Sequence, residues 1–137
     1  MSGEPCKHSE TIEECYELML AYAAQGLPSD QGAQSSQRIR EVLERAAAAI
    51  AALGKDCRDF VKHQRLEPTE KYRSFINVVE RDARDSLAAI DLVLAQPSIS
   101  SQLVDNLNAS IHLRALLTDS FLLGDVFRPQ VASRASD

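Results

Sequence analysis

Three histidines are the side chains here best suited to chemistry near neutral pH, where imidazoles ordinarily change charge. His112 has the most suggestive surroundings. Ser101, Asp105, Asn108, His112 and Asp119 follow one another by steps of four, three, four and seven, so on one helix they form a single polar stripe. An acid-flanked histidine of this kind can hold a metal or pass a proton or phosphoryl group. A polar stripe is more commonly a solvated outer face, and that reading is preferred. Arg114 interrupts the apolar pattern beside it, sharing a stripe with Leu103, Leu107, Ser110, Leu117 and Phe121. This predicts a half-buried guanidinium that either pairs with Asp82 or Asp85 on the preceding helix or meets a ligand inside the fold. Arg114, His112, Asp105 and Asp119 are therefore the candidate polar or ligand site.

The other reactive residues lead less far. Cys6 and His8 form a C-x-H pair that Cys15 and Glu13 or Glu14 could complete, and Cys57 precedes His63 by six positions; neither spacing matches a zinc pattern. No Glu-x-x-His pair exists for a di-iron centre. Gly-rich phosphate loops, G-x-S-x-G and H-E-x-x-H are also missing. Histidine phosphotransfer domains are four-helix bundles of similar size, but the Lys-Gly that follows their histidine in H-x-x-K-G follows none of these three. The expectation is a non-enzymatic chain with no catalytic residue, metal or cofactor.

The elements that must position these residues are helices. Ile39, Leu43, Ala46, Ile50, Leu53, Cys57 and Phe60 alternate by fours and threes, as do Tyr72, Ile76, Val79, Ala83, Leu87, Ile90 and Leu94. Each series is the seam of an amphipathic helix facing a partner. Leu66-Glu67-Pro68-Thr69 between them predicts a reversal and hence a long antiparallel hairpin, with Gly54 the one place where the first helix could kink or break. Thr11 to Glu14 fits a capping box for an earlier helix that Gly26-Leu27-Pro28 stops, and Ser29 to Gln34 reads as a polar linker before a cap at Ser35 or Ser36. Pro97 to Ser101 supplies a turn and cap for a last helix, expected to run unbroken to Leu123 and to end at Gly124-Asp125. The predicted fold is all-α, an up-down-up-down four-helix bundle at 9–127, between a flexible arm at 1–8 and a flexible tail at 128–137.

At 137 residues the chain is long enough for one core, and its net charge of −5 argues against a nucleic-acid partner. The polar, acidic N-terminus is unlike a signal peptide, and no apolar run approaches the roughly 20 residues that span a bilayer. Three cysteines then suit a reducing cytosol, so a cytoplasmic protein without a membrane partner is expected. The last helix is apolar on more than one stripe. That excess predicts function by self-association, as a homodimer, or by binding another protein, with Leu113, Leu116, Leu122, Leu123, Met19 and Tyr22 as interface residues. The rival readings are a small-molecule sensor with an internal pocket near Arg114 and a phosphotransfer-like role for His112.

Overall fold

The computed structural model describes residues 7–31 and 34–136, with side chains at 7–31 and 38–131. The fold is all-α and forms an antiparallel four-helix bundle. Its helices are α1 (Lys7–Ala24), α2 (Gln34–His63), α3 (Thr69–Leu94), α4 (Ser101–Ala109) and α5 (Ile111–Ser136). α2 and α3 are the expected hairpin. α1 packs on α2 and on α4, α5 packs mainly on α3, and α1 meets α5 only sparsely. The fourth column of the bundle is thus two helices that lean on different neighbours.

The seam residues of the hairpin form the core: Ile39, Leu43, Ala46, Ile50, Leu53 and Cys57 from α2 are buried against Ile76, Val79, Ala83 and Ile90 from α3. Gly54 does not break α2. It lies under the Glu80 side chain, whose Cγ would stand 2.6 Å from a Cβ at this position. Glu80 uses that space to reach Arg58, which donates from Nε and Nη2 at 3.0 and 2.6 Å while Nη2 also reaches Asn77 Oδ1. The Arg58 guanidinium holds the Glu80 carboxyl below the ordinary glutamate range, against the opposing effect of burial. Gly54→Ala should therefore gain helix propensity yet displace Glu80. In a Glu80→Ala background the same change is expected to stabilise by about 1 kcal/mol, and in the wild type by distinctly less. Urea titrations of the four chains measure the difference.

The hairpin turn is a Schellman closure. Leu66 N–H donates to Val61 O at 3.1 Å and Arg65 N–H to Lys62 O at 3.2 Å, with Leu66 and Val61 both buried beneath the turn. Arg65 takes the left-handed position at φ 51°, where glycine is the usual occupant. Arg65→Gly removes the Cβ penalty and is expected to raise stability by about 0.5–1 kcal/mol, read as a higher urea midpoint with unchanged slope.

Several boundaries differ from expectation. α1 begins at Lys7, so Thr11 lies inside it and its hydroxyl donates back to Lys7 O at 3.5 Å instead of capping. The buried Ser9 and a hydrogen bond between His8 and Asp56 hold this extra turn on α2, which removes 7–8 from the expected arm; residues 1–6 lie outside the described residues. Ser35 and Ser36 are already within α2. Gly26 ends α1 in the left-handed conformation as foreseen, at φ 67°.

The linker after it is docked. Asp30 Oδ1 accepts from Ile99 N–H at 2.7 Å and Oδ2 from Arg40 Nε at 2.6 Å. Arg40 also donates to Leu94 O and Gln96 O, closing the carbonyl end of α3. Ser101 Oγ donates to Tyr22 O and accepts from Leu27 N–H, so the linker and the α3–α4 turn form one hydrogen-bonded node.

The last helix was expected to be continuous and to stop near Gly124. It breaks at Ser110 instead, whose ψ of 140° leaves the helical region. Ser110 Oγ then accepts from Leu113 N–H at 3.3 Å and caps α5, while Ser86 Oγ on α3 donates to His112 O at 2.9 Å. α5 runs through Gly124 and Pro129 to Ser136, so residues 128–136 are helical and not a frayed tail. Phe127 supplies the reason. Its ring is fully buried, 4.6 Å from Phe60 and 6.2 Å from Tyr72 between centroids, and this contact ties the C-terminal half of α5 to the hairpin tip.

Candidate functional site

α5 has two flanks, and the candidate residues divide between them. His112 and Asp119 are two turns apart on the flank toward α3. The His112 ring is half exposed, with Nδ1 4.0 Å from Asp85 Oδ2. Asp119 is only 8% exposed and faces Asp82. Burial first, then the hydrogen bond and charge of Asp82, push the Asp119 carboxyl up to about 7. Arg114 lies on the other flank, toward α1, and is exposed; the expected pairing with Asp82 or Asp85 does not form, because the side chain lines the α1 side of the helix. Asp105 is exposed on α4, across that break. The four residues are thus not one site, and the stripe drawn through Ser101, Asp105, Asn108, His112 and Asp119 does not exist as a continuous face.

The interface expectation needs a similar correction. Leu113, Leu116, Leu123, Met19 and Tyr22 are all buried in the core. Leu113, Leu116 and Leu123 lie with Phe127 on the inward stripe of α5. Met19 and Tyr22 do so on α1, and the Tyr22 hydroxyl donates to Ile99 O at 2.6 Å. Leu122 alone of the six is at the surface, 49% exposed.

Between α1 and α5 the sparse contact leaves an open cleft of about 270 Å³. Glu13, Tyr16 and Glu17 form its α1 wall, and Arg114, Leu117, Thr118 and Phe121 its α5 wall. Phe121 is 54% exposed, and Leu20, one turn beyond Tyr16 and Glu17 on the same stripe, is 45% exposed. Among the described residues no ion pair joins Arg114 to Glu13 or Glu17. No family model, curated protein or solved structure matches this chain. What the cleft can do is accordingly read from its own chemistry: an apolar floor, two carboxylates on one wall and a guanidinium on the other.

Glu13, Tyr16, Glu17, Leu20 and Phe121 had not been singled out as one surface. The signal was present in the spacing, since Glu13, Tyr16, Glu17 and Leu20 recur by threes and fours beside the buried stripe of α1. Of the metal ligands weighed from the sequence, Cys6 lies outside the described residues. His8 is engaged with Asp56, Cys15 is buried against the core, and among the described residues no three potential ligands converge. Burial raises the Cys15 thiol above its ordinary value, while nearby Arg45 acts in the opposite direction. Among the described residues no helix is long and apolar enough to cross a membrane.

Proposed function

We propose that this is a non-enzymatic binding protein that associates with a second copy of itself through the α1–α5 cleft. One observation carries the reading: the cleft sets the exposed Phe121 ring, with Leu20 beside it, between charges of both signs that no ion pair among the described residues engages. A surface bearing its own complement suits an isologous contact, in which the same patch faces itself across a two-fold axis. Arg114 of one copy would then meet Glu13 and Glu17 of the other, while Phe121 and Leu20 are withdrawn from water. The sensor reading is less well supported. It calls for an enclosed pocket, whereas this cleft is open and falls below the roughly 300–1,000 Å³ of ordinary ligand sites.

Light scattering coupled to size exclusion, over a concentration series, tests the proposal. The wild-type chain should approach twice its 15.1 kDa mass, and Phe121→Asp, at an exposed position, should remain helical but run as a monomer. A wild-type monomer at every concentration removes self-association. A dimer that survives Phe121→Asp and Leu20→Asp removes the cleft.

A further inference from the structure

The α3–α5 seam holds an arrangement that stability alone does not favour. Asp119 is more than nine-tenths buried, one of its carboxylate oxygens has no hydrogen-bond partner, and the group it faces is another carboxyl, Asp82. Two carboxylates in contact cannot both stay charged in such a place; a proton held between them turns repulsion into a hydrogen bond. We propose that Asp82 and Asp119 share one proton, and that this proton-sharing pair fastens α5 to α3 and loosens it when the proton leaves.

The surrounding charges leave the proton as the natural counter-ion. From α3 the groups beside the pair are Asp82 itself and, about one turn on, Asp85, with Arg81 exposed to solvent. α1 brings Glu13 and Glu17, but across the cleft on the opposite flank of α5. α4 brings Asp105, which is exposed. On α5 itself, His112 is two turns back toward Asp85, and Arg114 lies on the cleft side. Among the described residues no cation is paired with Asp119, and Asp82 is the neighbour that perturbs it.

The sign follows from linkage. The unfolded chain releases the Asp119 proton near the ordinary aspartate value of about 3.9, whereas the folded chain holds it to about 7. The stabilisation is therefore complete below the ordinary aspartate range, declines as pH rises, and is gone above about 7. Asp119→Asn replaces the carboxyl with a permanently neutral donor to Asp82 and removes the dependence.

Three measurements on the full chain test this. In the wild type, the carbon-13 carboxyl resonance of Asp119 should titrate near neutrality; titration near the ordinary value of about 4 would overturn the proposal without any variant. Amide exchange at about pH 8 should be slower in Asp119→Asn than in wild type by on the order of tenfold in α5, with α2 changed less. The melting temperature of Asp119→Asn should also lose the downward slope that the wild type shows between about pH 5 and 8. A variant that keeps the wild-type slope, or exchanges as fast in α5, contradicts the latch.

Discussion

Phe127→Ala is expected to cost about 3–5 kcal/mol, the range for emptying a fully buried aromatic site. Two features make the upper part of that range the better expectation. The ring packs at a tilt against Phe60 and stacks on Tyr72 at the hairpin tip, so its removal strips both of packing. It is also the anchor for a stretch of α5 that the sequence does little to support. Gly124 and Pro129 flank it, and each is unfavourable inside a helix, by about 1 and 3 kcal/mol relative to alanine. Without the ring, the last turns of α5 should fray before the bundle unfolds. Urea denaturation gives the global loss, and amide exchange should place the largest local increase after Leu123. Phe127→Leu should recover roughly half the loss. A loss below about 1 kcal/mol would mean that the C-terminal half of α5 is held by something other than this contact.

Arg40→Ala is expected to cost about 3 kcal/mol by a different route. The guanidinium is the charge partner of a buried carboxylate and at the same time the cap of α3, reaching Leu94 O and Gln96 O. Its removal leaves Asp30 buried without that partner and uncaps two carbonyls. Arg40→Lys should restore only part of the loss, because an ammonium cannot reproduce the fork that spans three acceptors. The pH dependence provides a check. Burial alone would raise the Asp30 carboxyl, but Ile99 N–H and Arg40 outweigh it and hold the group below its ordinary range. Its stabilisation is thus present above the ordinary aspartate value and is lost as pH falls through the lowered one. That is opposite in sign to Asp119. Together the two carboxyls place the stability maximum at mildly acidic pH, and the cost of Arg40→Ala should be full above the ordinary aspartate value and shrink as pH falls and Asp30 is protonated.

The hairpin was legible because a seam repeated over seven positions in each helix is a long, redundant signal. Gly54 was ambiguous because its role depends on Glu80, a residue of the next helix whose side chain no local pattern places. The break at Ser110 was hidden for a related reason. Apolar residues continue at helical spacing on both sides of it, and only the serine that caps α5 betrays a new start. The surface of α5 could not be separated from its core by sequence, since Leu116, Leu117, Phe121, Leu122 and Leu123 crowd three sides of one helix. The inward stripe includes a serine, Ser120, while Phe121 and Leu122 point outward. The linker node was illegible altogether, because hydrogen bonds between two irregular segments carry no period. Asp119 stood in the sequence only as one member of a polar stripe with His112, and pairing it with another acid is the outcome that simple charge matching would have rejected.

Amide hydrogen exchange on the wild-type chain at low and high protein concentration most directly tests the claim that the α1–α5 cleft is the functional surface. Exchange at residues 13–20 and 114–121 should slow as concentration rises, while the outer faces of α2 and α3 remain unchanged. Protection that appears on the hairpin instead, or a cleft whose exchange is indifferent to concentration while the mass doubles, would contradict it.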